Sequence, residues 1–138
     1  MPVRKIANHG RNIIGLFPSL KMGSMIAYES LIELDLLYFL DYEREVEVFE
    51  EQPLTIDYFH DGKTYRYTPD FHVIKTGQHW LLECKPRRLI SSEENQRKFA
   101  AAEEWCQQNG WIFAVITEEQ LRAGHRLRLA RRLRGVRG

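Results

Sequence analysis

The sequence predicts a single α/β domain with a mixed sheet, on three observations. The chain has 138 residues, 43% hydrophobic and 12% aromatic, enough for one compact core and too few for two ordinary domains. Two segments carry helical periodicity, and one of them has capping signals at both ends. Around them lie short apolar or alternating runs punctuated by Asp-Gly, Thr-Gly and proline, the pattern of strands and tight turns.

Residues 1–23 read as an irregular N-terminal arm, punctuated by Pro2, Gly10, Gly15, Pro18 and Gly23. Ser24 is the expected N-cap of a helix from about Met25 to Asp41, with Ile26, Leu31, Leu34, Leu37, Tyr38 and Leu40 as its apolar stripe. Glu29 and Glu33 then fall one turn apart along one edge of that helix. Val46, Val48, Leu54, Ile56 and Tyr58 read as extended chain with a break at Gln52-Pro53, because proline cannot donate into a ladder. Asp61-Gly62 before Thr64-Tyr65-Arg66-Tyr67 is a hairpin signal. Phe71-His72-Val73-Ile74, a Thr76-Gly77 turn and the run from His79 to Lys85 complete a meander of three strands. Ser91 and Glu94 have capping-box spacing for a helix to about Asn109, carrying Phe99, Ala102, Trp105 and Cys106 on one side and ending at Gly110. Trp111 to Ile116 is a continuous apolar run, expected as a strand buried on both faces and covered by helices, and a basic helix should begin near Glu118.

Charge is segregated. The formal net charge is +1, yet the first 21 residues hold four basic side chains (Arg4, Lys5, Arg11, Lys21) and no acidic one. From Arg122 to Gly138 there are seven arginines and again no carboxylate, so all nineteen acidic residues lie between, where they outnumber the basic ones. The expected organisation is therefore an arm over 1–23, a compact domain over 24–121 and an Arg-rich segment over 122–138. An Arg-rich end supplies phosphate contacts, and carboxylates clustered in the body are what a hard divalent cation requires. The N-terminus lacks the continuous apolar core of a signal peptide, no run is long enough to span a bilayer, and Cys84 and Cys106 have no zinc spacing. A cytoplasmic protein without membrane partners is expected.

Within the body, Glu83 and Lys85 are separated by one residue on an apolar strand, so period two sends both to one face while Cys84 points away. Asp70, after Pro69 at the start of the preceding strand, reaches the same end of the sheet, and Glu33 approaches from the first helix. Carboxylates converging beside a lysine are the donors with which a metal-dependent phosphodiester hydrolase works. Taken alone, Glu83 and Lys85 also suit the solvent face of a half-exposed strand.

The order of Glu33, Glu51-Gln52-Pro53, Tyr67-Thr68-Pro69-Asp70-Phe71 and Glu83-Cys84-Lys85-Pro86, followed by a helix and a buried strand, resembles the PD-(D/E)XK nuclease superfamily. Within it, the stretch from about Glu29 to Thr117 is similar to the N-terminal catalytic domain of the TnsA transposon endonucleases. The resemblance implies a restriction-endonuclease-like core and a DNA endonuclease using Mg²⁺, or Mn²⁺ in its place. It implies Glu33, Asp70 and Glu83 as metal ligands, the Cys84 carbonyl as a further one, Lys85 as the group that orients water and stabilises phosphate charge, and Gln52 as a polar positioning group. Glu29 competes with Glu33 for the helix position. Transposition and DNA recombination with a transposase or other mobile-element protein as partner, and a homodimer, are further implications. TnsA proteins carry a second domain beyond this point, where the present sequence has its Arg-rich segment, so a phage or repair role stays open.

Arg87 and Arg88 follow the site strand, and Arg122, Arg126, Arg128, Arg131, Arg132 and Arg134 form the basic end; all eight are candidates for nucleic-acid contact. The competing class is a non-catalytic or partner-dependent nucleic-acid-binding module, which predicts no metal dependence. Among five scattered histidines, His72 is singled out because it lies two residues from Asp70. Cys84 and Cys106 read as core.

Overall fold

The computed structural model describes residues 12–122. In chain order these form β1 (Gly15–Ser19), β2 (Ser24–Tyr28), α1 (Leu31–Tyr42), β3 (Val46–Glu51), β4 (Ile56–His60), β5 (Lys63–Tyr67), β6 (Phe71–Lys75), β7 (Gln78–Cys84), α2 (Glu93–Asn109) and β8 (Ile112–Ile116). A 3-10 turn, Arg87–Leu89, joins β7 to α2, and a helical stretch occupies 118–122. Residues beyond 122, which hold the arginines from Arg126 to Arg134, lie outside the described residues.

The central sheet has the order β3-β6-β7-β8. Its first three strands are antiparallel neighbours, whereas β8 runs parallel to β7. A parallel neighbour needs a crossover, and α2 supplies it. This is the expected mixed α/β architecture, compatible with a restriction-endonuclease-like core. Among the described residues no helix is long and apolar enough to cross a membrane.

Strand alternation divides the interior in two. On one face Phe71, Val73, Leu82 and Cys84 pack with Leu36, Leu37 and Leu40 of α1 and with Phe17 and Ile26 of the first hairpin. On the other, Leu81 packs with Ala101, Ala102 and Cys106 of α2 and with Ile56 and Tyr67 of β4 and β5. The small residues of α2 let that helix lie close to the sheet.

Several local expectations are corrected. Residues 15–19 are a strand rather than irregular arm, paired with β2 through the register Phe17↔Ile26. Pro18 is accommodated because β1 has a neighbour on one side alone, so its missing N–H costs little. Residues 24–28 are therefore extended, and α1 begins at Leu31 with Ser30 as its N-cap, the hydroxyl accepting the Glu33 amide at 3.1 Å. The turn after β1 is bound to the far end of α1: Ser19 donates to Asp41 at 2.6 Å, and the Lys21 ammonium donates to the Leu40 carbonyl at 2.7 Å.

The meander is corrected as well. β3 pairs directly with β6, and β4 and β5 leave the central sheet as a separate hairpin. Gln52, at φ +43°, and Pro53 turn the chain out of the ladder at the end of β3. Asp61-Gly62 and Thr76-Gly77 both have positive φ at the two central positions, as type I′ hairpin turns require. The α2 cap is Ser92 rather than Ser91, accepting the Asn95 amide at 3.2 Å, while Gly110 closes the helix in the left-handed region as expected. β8 is half-exposed rather than buried on both faces, because it forms the edge of the sheet.

Leu37 is fully enclosed between α1 and the sheet. Leu37→Ala should cost about 2–5 kcal/mol in urea unfolding, whereas a loss below about 1 kcal/mol would show that α1 is not part of the principal core.

Candidate active site

Sorting of apolar residues by strand face also sorts the polar ones. With Phe71 and Val73 facing α1, Asp70 and His72 take the opposite face; with Leu82 and Cys84 facing α1, Glu83 joins Leu81 opposite. Asp70 immediately precedes β6 and Glu83 is the penultimate residue of β7, so the hairpin brings both to one end of the sheet.

Asp70 is locked by its surroundings. Its Oδ2 accepts the Cys84 amide at 2.7 Å, and its carbonyl accepts the Gln52 amide at 2.7 Å. Glu83 is buried, with Oε1 accepting the Tyr67 hydroxyl at 2.8 Å and Oε2 lying 3.6 Å from the Lys85 ammonium. The Lys85 amide in turn donates to the Ile116 carbonyl at 3.0 Å, which ties the lysine's backbone to β8.

Glu33 is buried in the first turn of α1, on the side of the sheet that Cys84 faces, and its charge acts on Cys84. Its Oε1 accepts the Glu29 amide at 3.0 Å, so it also closes the helix start opposite the Ser30 cap. Glu29 lies in the bend before Ser30 rather than on the helix, which corrects the reading that places both glutamates on one helical edge. The two remain adjacent through that hydrogen bond.

The electrostatics join these groups. Burial holds the Asp70 carboxyl well above the usual carboxylate range; the Glu83 charge raises it further, with a smaller contribution from Glu29, while the Cys84 amide and Lys85 oppose. Glu83 is raised too, by burial, against the Tyr67 hydrogen bond and the charges of Lys85 and Lys98. The Cys84 thiol, buried on the far side of the strand, is pushed up by desolvation and then by the fields of Asp70, Glu33 and Glu83, partly offset by Lys85. Three acids and one lysine of the expected set thus bear on a single point of β7. Among the described residues no three His, Cys, Asp or Glu side chains form a ready-made metal cage. Magnesium does not need one, since it takes one or two carboxylates and completes its shell with water and substrate oxygens. Asp70 and Glu83 are a donor set of that type.

Other candidates are placed differently. The backbone of Gln52 is strapped to Asp70 in a left-handed conformation that non-glycine residues adopt at a cost. Arg87 and Arg88 are exposed, but the Arg87 guanidinium is bonded to Glu119 at 2.6 Å and its amide to Glu118 at 3.0 Å. Arg122 is exposed. His72 bonds Glu50 at 2.9 Å and His79 at 2.8 Å and stacks on Trp111 with 4.4 Å between ring centroids, a structural role on the Asp70 face. Cys84 and Cys106 are both buried, and burial pushes the Cys106 thiol up to about 11. The sequence reading missed Tyr67, whose signal was a polar-tipped aromatic three residues before Asp70 in a run otherwise read as hairpin.

Comparison with known families matches residues 43–118, more than half of the chain, to the family model described as TnsA-like endonuclease N terminal. The matched range contains Gln52, Asp70, Glu83, Cys84 and Lys85, whereas Glu29 and Glu33 precede it. No curated protein matches the chain significantly.

Burial of Asp70 has a stability consequence. Because its folded value exceeds its unfolded one, its contribution is fully present below the ordinary aspartate range and is lost as pH rises through the raised value. Asp70→Asn keeps a carbonyl oxygen for the Cys84 amide and removes that loss. In metal-free protein at about pH 8 its Tm should exceed the wild-type value by about 2–8 °C, the shift that roughly 1 kcal/mol brings in small domains. The gap should close on acidification; a Tm below wild type at every pH would show that Asp70 carries no charge-burial cost.

Proposed function

The chain belongs to the TnsA-like endonuclease N-terminal family, and from that membership we propose a metal-dependent DNA endonuclease whose active site is the Asp70, Glu83 and Lys85 cluster. The observation that carries the reading is the burial of Asp70 and Glu83 together with a single lysine, 3.6 Å from Glu83, a charge imbalance that a divalent cation would relieve. Nothing in a purely structural sheet end calls for that arrangement. In this reading Asp70, Glu83 and the Cys84 carbonyl would hold Mg²⁺ or Mn²⁺, with Glu33 or the adjacent Glu29 completing the acidic wall.

When bound, the cation polarises the scissile phosphate and lowers the pKa of water. Lys85 donates to the attacking water or to a phosphate oxygen, stabilising charge as it develops. Gln52, tied by its backbone to Asp70, positions the phosphate from the neighbouring strand end. Water attacks phosphorus, the bond to the 3′ oxygen breaks, that oxygen takes a proton, and the 5′-phosphate remains on the other product. Arg88 and Arg122, with Arg87 once a phosphate displaces Glu119, supply backbone contacts, and the arginines from Arg126 to Arg134 add sequence-independent affinity. A role in transposition or DNA recombination beside a transposase, in a dimer that brings two sites to two strands, follows the same family reading.

Supercoiled plasmid should be cut with Mg²⁺ or Mn²⁺ and left intact with EDTA, and Asp70→Ala and Lys85→Ala should each lower the single-turnover rate by about 10²-fold or more. Binding without cutting under all metals would replace the nuclease with a binding module or a partner-dependent enzyme. Removing residues 123–138 should weaken DNA binding and reduce the slope of log K against log salt by about 0.9 for each phosphate that the arginines no longer neutralise. An unchanged slope would leave those arginines without a role.

A further inference from the structure

Tyr67 ends β5, and its ring lies in the apolar cluster formed by Ile56, Leu81, Ala101, Ala102 and Cys106. The residue is 4% exposed, and phenylalanine would fill the same space without a polar atom to satisfy. Its hydroxyl instead crosses from the separate β4–β5 hairpin to the central sheet and donates to Glu83 Oε1 at 2.8 Å. The Lys98 ammonium of α2 sits 5.9 Å from the centroid of the ring, so three elements meet around this one side chain. Glu83 Oε2 is left on the side of Lys85. A hydrogen bond to one carboxylate oxygen restrains rotation about the last torsion and so biases where the second oxygen points.

We propose that Tyr67 is a positioning residue: by holding Glu83 Oε1 it orients Oε2 toward the divalent cation and toward Lys85. The proposal rests on the metal-dependent reading of the site and adds the group that fixes one of its ligands. It also gives the β4–β5 hairpin a function, since that hairpin joins no strand of the central sheet yet delivers the hydroxyl to it. Outer groups of this kind orient ligating carboxylates, and their loss lowers metal affinity by about 10–100-fold.

The test is Mn²⁺ binding to the full chain without DNA, by calorimetry and by the electron paramagnetic resonance signal of free Mn²⁺, for wild type, Tyr67→Phe, Glu83→Gln and the double variant. Tyr67→Phe should weaken Mn²⁺ by about 10–100-fold and raise the Mn²⁺ needed for half-maximal cutting by the same factor. In the Glu83→Gln background the same change should have no further effect, which a general loosening of the hairpin would not reproduce. Equal Mn²⁺ affinity in wild type and a folded Tyr67→Phe overturns the positioning role while leaving the nuclease reading standing. Absence of both binding and cutting in wild type overturns the two together. Should Tyr67→Phe fail to fold, substoichiometric Mn²⁺ added to the wild type should broaden the Tyr67 ring resonances before those of Tyr42 at the far end of α1, and undisturbed Tyr67 resonances would overturn the proposal.

Discussion

Two carboxylates buried side by side at the end of an antiparallel hairpin are the constraint around which this domain is arranged. Removing Asp70 and Glu83 from water disfavours their charged forms, and the Glu83 charge makes Asp70 harder still to ionise. The surrounding structure answers with specific donors: the Cys84 amide to Asp70, the Tyr67 hydroxyl to Glu83, and the Lys85 ammonium beside Glu83. The first two come from the backbone and from a buried ring, and the third from a partly exposed lysine whose backbone is tied to β8. The raised values of both acids indicate that these donors do not fully compensate them.

The rest of the fold keeps that end of the sheet in place. Buried Pro69 sets the chain direction into Asp70, and the left-handed backbone at Gln52 is held by its bond to the Asp70 carbonyl. β8 anchors Lys85 from the parallel side. On the α1 side, Glu51 accepts the Ala27 amide at 2.9 Å and Glu33 closes the helix start, so two buried glutamates near the site also bind the N-terminal hairpin to the body. On the opposite face, the one that carries Asp70, the Glu50–His72–His79 chain covered by Trp111 pins β3, β6 and β7 across their width. Each imidazole finds a partner there, which is why a histidine can sit 7% exposed on a buried face.

The family match spans the part of the chain that carries the acidic cluster. The matched region runs from the turn after α1 to two residues past β8 and contains both acids, Lys85 and Gln52. The N-terminal hairpin and α1 add a layer before it, and from there the Glu29 charge acts on Asp70 and the Glu33 charge on Cys84.

Local chemistry was legible wherever a signal acts over a few residues. Two type I′ turns, the Gly110 helix end, the break at Gln52-Pro53 and the period-two separation of Glu83 and Lys85 from Cys84 all follow from backbone preferences and strand geometry, and all are present. Tertiary pairing decided what local signals leave degenerate. Ser24–Tyr28 is extended because β1 lies beside it, although its apolar residues also suit a helix, and the real cap at Ser30 was hidden inside that longer helical reading. β3 prefers β6 over its sequence neighbour β4 because the positive φ at Gln52 takes the chain out of the ladder. Period alone places residues on faces. Which hydroxyl meets Glu83 depends on packing between a hairpin and a sheet that are not neighbours in strand order, and for that reason the pairing of Tyr67 with Glu83 was decided by the tertiary structure.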